Sequence, residues 1–173
     1  MHNKVVFRAA KAALTSGLPT LRFNFRGVGS SAGTFAGGEG EQEDVRAALD
    51  YLTARFPALP VCLMGFSFGA WVGLAVGAAD PRVAALVGLG MPVHSLKFDF
   101  LAGVRKPKLV VQGTLDEFGA RAVVADLFRS LDEPKQIHFV EGVDHFFTGK
   151  LDEVQQTIER FLQTSPDSLT GKR

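Results

Sequence analysis

The sequence predicts an α/β protein, a mostly parallel sheet with helices on both faces. Three observations carry this reading. Apolar runs of strand length alternate with stretches whose apolar residues recur at helical spacing, the connections are short, and several of the runs are almost continuously apolar.

Taken in order, Val5, Val6, Ala9, Ala10, Ala13 and Leu14 give a first helix that Gly17 stops. Residues 20–25 read as a strand. A Gly-rich loop then runs to Gly40, where Glu41, Glu43 and Asp44 suit a helix N-terminus and Val45, Ala48, Leu49 and Leu52 make the apolar face. After Pro57 and Pro60 comes the apolar strand Val61–Phe66, then a small-residue helix over residues 70–79. Val83–Leu89 is a near-continuous apolar strand. No cap is evident: the connection over residues 90–107 is the only segment with room for a lid, which Phe98, Phe100 and Leu101 would make apolar, and a short, open pocket is expected. Lys108–Gly113 reads as a buried strand; Val123, Val124, Leu127, Phe128 and Leu131 read as a helix face ended by Pro134. Residues 136–140 form the next strand, and Leu151, Val154, Ile158 and Phe161 mark a last helix. Residues 1–164 are expected to form one domain, with residues 165–173 a flexible tail.

Composition excludes several classes of function. The chain has 173 residues, 46% of them hydrophobic and 10% aromatic, enough for one core. With 19 Lys+Arg against 18 Asp+Glu the net charge is +1, so no field gathers nucleic acid or an anionic membrane. Cys62 is the single cysteine and has no internal disulfide partner, which makes a reducing cytoplasm the expected compartment. Residues 58–79 carry no charge, and Gly65, Gly69, Gly73 and Gly77 are spaced as in membrane helix packing; Pro60 and Ser67 interrupt that run and Asp80-Pro81 ends it, so no membrane span is expected. The glycines of residues 27–40 lack phosphate-loop and dinucleotide spacing, which argues against a nucleotide-binding protein.

The chemistry is carried by Gly65-Phe66-Ser67-Phe68-Gly69, placed between a strand and a helix. A GxSxG string there marks a nucleophile elbow: the strand turns sharply into the helix, glycines remove side chains that would clash, and the serine hydroxyl is left exposed to attack a carbonyl. A serine so exposed becomes a nucleophile only beside a base, a histidine that an acid orients. Asp116 follows the strand at Lys108–Gly113, and His145 follows the strand at residues 136–140.

On these residues the chain resembles a small serine hydrolase of the α/β-hydrolase superfamily, close to its dienelactone-hydrolase-like and esterase members. The loop Asn24-Phe25-Arg26-Gly27-Val28-Gly29, with Ser31 and Gly33, and the segment Gly142-x-Asp144-His145-Phe146 extend the likeness. Dienelactone hydrolases use cysteine where this chain has Ser67, so the resemblance implies a serine esterase acting on a small or medium ester-like substrate. It implies a catalytic triad of Ser67, Asp116 and His145, with no cofactor and no metal, and leaves the oligomeric state open. It also implies that the backbone N–H of Phe68 supplies one donor of the oxyanion hole. In the family a strand ahead of the first helix lies at the sheet centre, between the strands that correspond to residues 20–25 and Val61–Phe66, and its loop gives the second donor. The expectation is therefore an N-terminally truncated form of the fold, in which Met1 is an internal methionine.

Each residue has a plainer competitor. Ser67 also suits an ordinary tight turn; Glu117 or Asp144 rivals Asp116; His2, His94 and His138 rival His145. Arg26 would meet a substrate carboxylate or brace its loop by an ion pair, and His94 would line the pocket or sit in a surface loop. Cys62 and Trp71 read as packing residues. The alternative function is a catalytically inactive α/β-hydrolase-like binding module, or a truncated fragment.

Overall fold

A computed structural model of the protein describes residues 3–164. The expected tail over residues 165–173 lies outside the described residues. In chain order the elements are α1 (Lys4–Thr15), α2 (Glu39–Arg55), β1 (Val61–Phe66), α3 (Phe68–Ala79), β2 (Val83–Leu89), a single 3-10 turn (Asp99–Leu101), β3 (Lys108–Gly113), α4 (Arg121–Ser130), β4 (Lys135–Val140) and α5 (Leu151–Thr164).

The four strands form one sheet in the order β1-β2-β3-β4, every pair parallel. Parallel neighbours need crossovers, and α3 and α4 provide two of them, returning the chain to the same end of the sheet. Side chains alternate between the faces. On β3, Leu109 and Val111 pack with Val5, Ala9, Ile158 and Phe161 of α1 and α5, whereas Val110 packs with Leu74, Val76 and Val124 of α3 and α4. Helices thus cover both faces, as the sequence predicts. Ile158 shows no exposed surface, and truncating such a side chain to alanine costs about 2–5 kcal/mol.

Helix starts follow from local chemistry. Asn3 Oδ1 accepts from the N–H groups of Val5 (2.9 Å) and Val6 (3.1 Å), capping α1. Gly38 begins α2 at φ +105°, a conformation L side chains rarely adopt, and a Cβ there would lie 2.3 Å from the Trp71 ring. Glu41, buried in the first turn of α2, accepts from the N–H groups of Gly38 (2.7 Å) and Ala36 (2.9 Å).

The sequence expectation fails at residues 20–25, which take no strand pairing. A strand exists only through a hydrogen-bonded partner, and β1, the edge of the sheet, does not reach this segment. Between the two lies an apolar cavity of about 400 Å³, lined among others by Ala9, Phe25, Leu49, Leu63 and Phe66. The connection over residues 90–107, the segment with room for a lid, lies against the core. Phe98 and Leu101 are buried in the α3-side core, and the Trp71 indole N–H donates to Lys97 O at 2.9 Å, so this connection packs down against α3. Among the described residues no helix is long and apolar enough to cross a membrane. The uncharged stretch over residues 58–79 divides into β1 and α3.

Candidate active site

Ser67 joins β1 to α3 with φ +55° and ψ −125°. A non-glycine residue there stores strain of about 1–3 kcal/mol. The sheet holds the turn at its entrance, because Ser67 N–H donates to Leu89 O at 2.9 Å, at the end of β2. A Cβ on Gly65 would lie 2.3 Å from Gly69 O and 2.6 Å from Ala70 Cα, so the turn admits no side chain there. At Gly69 the nearest atom to such a Cβ is Phe25 Cε2 at 3.8 Å, an ordinary contact. Of the two flanking glycines, the sharp turn requires only the first.

Two loops from the same end of the sheet converge on this serine. His145 lies in the loop after β4, and that loop rests on β3: a Cβ on Gly113 would meet Val143 O and Asp144 O at 2.6 Å, and Leu115 N–H donates to Val143 O at 3.0 Å. Asp144 fixes the loop from within. Its carboxylate accepts from Thr148 N–H (3.0 Å), the Thr148 hydroxyl (2.8 Å) and Phe146 N–H (3.1 Å). These bonds, the Thr148 backbone N–H first among them, hold the Asp144 carboxyl below its ordinary range.

Asp116 lies in the loop after β3, with its side chain fully enclosed. Its Oδ1 accepts from Phe118 N–H at 2.9 Å, and its Oδ2 accepts from the Gln112 amide at 2.7 Å and from His145 Nδ1 at 2.8 Å. A carboxylate only accepts, so Nδ1 carries a proton, and in the neutral ring this leaves the lone pair on the other nitrogen. That nitrogen, Nε2, stands 2.9 Å from Ser67 Oγ. The imidazole is buried among Phe66, Phe118 and Phe146, with ring centroids 4.8, 4.7 and 5.3 Å away. Gly90, at φ +53°, leaves room for it, since a Cβ there would lie 3.2 Å from His145 Cε1.

The structure therefore brings Ser67, His145 and Asp116 together in one hydrogen-bonded chain. Phe68 is the first residue of α3, where by position the N–H has no partner within the helix, and it points the positive end of the helix dipole at the serine. Arg26 and His94 are engaged elsewhere. The Arg26 guanidinium forks onto Asp44 (2.8 and 3.1 Å) and reaches Glu43 (3.1 Å), and these hydrogen bonds hold the Asp44 carboxyl below its usual range. His94 meets Glu117 O through Nδ1 (3.0 Å) and accepts from Ala120 N–H at Nε2 (3.4 Å), bracing the backbone after Asp116. Burial on β1 pushes the Cys62 thiol up to about 12. Trp71 packs on Gly38 and Phe68. Among the described residues no cluster of histidine, cysteine and carboxylate groups is arranged to hold a metal ion.

Gln112 is the residue that reading the sequence missed. Its signal was a polar side chain closing the apolar run of β3, because a buried amide must find partners.

Comparison with known proteins gives consistent relatives. A family model described as an alpha/beta hydrolase domain matches residues 1–169. An uncharacterised protein of Rickettsia prowazekii is 37% identical over 174 residues, a match covering 95% of this chain and 73% of that protein. Among solved structures, an alpha-beta serine hydrolase homologue from Coxiella burnetii superposes with a TM-score of 0.85 at 38% identity, covering 92% of this chain and 76% of that one. A serine hydrolase without a lid from Xanthomonas campestris gives a TM-score of 0.85 at 36% identity, covering 94% of this chain and 74% of that one.

Proposed function

The chain belongs to the alpha/beta hydrolase family, and from that premise we propose that it is a serine hydrolase cleaving a small or medium ester-like substrate through an acyl-enzyme. The observation that carries this reading is the chain of two hydrogen bonds from Ser67 Oγ through His145 to Asp116, at 2.9 and 2.8 Å. His145 Nε2 takes the Ser67 hydroxyl proton as Oγ attacks the carbonyl carbon. Asp116 holds the ring in the tautomer that can accept this proton and stabilises the resulting imidazolium. Phe68 N–H donates to the developing oxyanion. The imidazolium then protonates the leaving alcohol. Water, deprotonated by the same nitrogen, attacks the acyl-enzyme and releases the acid.

Exposed apolar side chains near this end of the sheet support an apolar acyl or alkoxy group. Phe146 and Phe118 flank His145, while Phe35 packs on Phe68. The neighbour described as lacking a lid supports an open pocket of this kind. A cytoplasmic location belongs to the same reading and rests on the lone, half-buried cysteine, Cys62.

The test is labelling with a fluorophosphonate beside p-nitrophenyl acetate turnover. Covalent labelling at Ser67 that disappears in Ser67→Ala is expected; folded protein that neither labels nor turns over overturns the proposal.

A further inference from the structure

Gln112 is fully buried, on the face of β3 that packs against α3 and α4, at a position where its neighbours two residues apart include Val110. An amide in such a place is costly unless each of its polar atoms is bonded. All its bonds are made. Its Oε1 accepts from Met91 N–H at 2.8 Å, and its Nε2 donates to Gly119 O at 3.1 Å and to Asp116 Oδ2 at 2.7 Å. One partner can only donate and the other two can only accept, so the amide has a single satisfactory orientation.

We infer that Gln112 is a positioning residue for the Ser67–His145–Asp116 chain, locking the Asp116 carboxylate so that Oδ2 faces His145 Nδ1. The terminal torsion of an aspartate is soft, and without fixed donors its carboxylate plane turns freely. Phe118 N–H on Oδ1 and the Gln112 amide on Oδ2 pin both oxygens from opposite ends of the group. The same amide ties Met91, just beyond β2, to Gly119, beyond Asp116, so three segments share one reference point. Gly119 makes this approach possible. A Cβ there would fall 2.3 Å from Met91 O and 2.6 Å from Gln112 Nε2.

The inference rests on the hydrolase reading for its kinetic consequence and on geometry alone for its structural one. Two variants separate them. Gln112→Glu keeps the length of the side chain and an acceptor for Met91 N–H, but turns an oxygen toward Asp116 Oδ2 and Gly119 O. When ionised, the introduced carboxyl repels Asp116; when protonated, it restores one donor. The titratable groups around it are Asp116 and His145, with His94 bonded to the backbone at residues 117 and 120. Gln112→Leu keeps the volume and removes every bond.

In Gln112→Glu, kcat should fall about 100-fold with KM unchanged, as misplacement of a catalytic group does, and the activity should decline further on the alkaline side where wild type stays flat. In both variants the downfield proton resonance of the His145 Nδ1–H···Asp116 bond should shift or broaden. A folded Gln112→Glu protein with wild-type kcat, an unchanged pH profile and an unmoved resonance overturns the inference. So does a loss confined to Tm, or to KM. If the wild type hydrolyses no ester, the hydrolase reading fails separately, and the resonance still decides whether Gln112 positions the dyad.

Discussion

Residues 61–150 and residues 18–40 are held in place by different physics. In the first region each side chain of the candidate site leaves the carboxyl end of a hydrogen-bonded strand: Ser67 after β1, Asp116 after β3, His145 after β4. Ladder register converts sequence distance into position, so two residues separated by 78 in the chain stand 2.9 Å apart. In the second region there is no ladder. Short backbone turns, Gly27 N–H on Ala32 O and Val28 N–H on Phe25 O among them, are braced by charged and polar side chains: Arg26 on Asp44, Glu41 on the N–H groups of Ala36 and Gly38, and the Ser31 hydroxyl on Asn24 O. Register positions the chemistry, and ion pairs only shape its surroundings.

The largest test of that contrast is to remove the nucleophile. Ser67→Ala should lower ester hydrolysis by about 10⁴-fold or more while leaving the fold intact, which turnover and circular dichroism will show. Ser67→Gly should be equally inactive yet more stable, by about 1 kcal/mol, because glycine relieves the positive φ. Removing the Arg26 guanidinium should do far less to turnover. Equal losses at Ser67 and Arg26 would break the comparison.

A second pair of variants probes the elbow from either side. Gly65→Ala forces a methyl into the backbone of Gly69 and Ala70, and should destabilise the protein by about 3 kcal/mol or abolish soluble expression. Gly69→Ala meets only the Phe25 ring at van der Waals distance and should change Tm little. Thermal melts of the two decide it.

These glycines also show where the sequence was legible. Each reads alike in GxSxG, and only the turned backbone separates the one that is sterically required from the one that is not. The strands Val83–Leu89 and Lys108–Gly113 were legible to the residue, because strands buried on both faces write their ends into composition. Residues 20–25 alternate apolar and polar side chains as a strand does and form none, since among the described residues no strand lies between them and β1 to pair with. Chain order named Ser67, Asp116 and His145 as candidates, and the folded chain brings their side chains into contact. Arg26 and His94 were read as pocket candidates, and their hydrogen bonds lead instead to Asp44 and Glu43 and to the backbone beyond Asp116. Which donors would hold Asp116 was not legible. Gln112 reaches it only because β3 ends where it does.

In the ladder-free region, Asp44→Asn should lower Tm by roughly 2–4 °C, as expected for one partly buried charged hydrogen bond in a chain of this length. It removes the negative charge and the Oδ2 acceptor of the Arg26 backbone N–H (2.9 Å) and Nε–H (3.2 Å) but leaves the Glu41 bonds, so the α2 start should survive. Hydrogen exchange should rise over residues 26–38 and stay unchanged around Ser67. Increased exchange at the elbow as well would mean that the two regions are mechanically coupled.

Acid provides the finest discrimination. The Asp144 and Asp44 carboxyls are both held below their ordinary range, by the Thr148 and Arg26 hydrogen bonds respectively, so each stabilises the fold only while ionised. A group whose folded value is depressed contributes fully above its unfolded value, near pH 4, and loses that contribution as pH falls through the lower folded value. Stability should therefore be flat with respect to these groups above about pH 5 and decline below about pH 4. Asp144→Asn and Asp44→Asn should each have a lower Tm at neutral pH and a shallower decline in acid. The variant whose acid slope flattens more marks the loop that proton uptake loosens first. If it is Asp144→Asn, acid acts on the loop that carries His145, and the activity of the wild type should fall in acid before its circular dichroism does. If it is Asp44→Asn, the ladder-free region gives way first and the hydrogen-bonded chain at Ser67 outlasts it, as the difference in how the two regions are held requires.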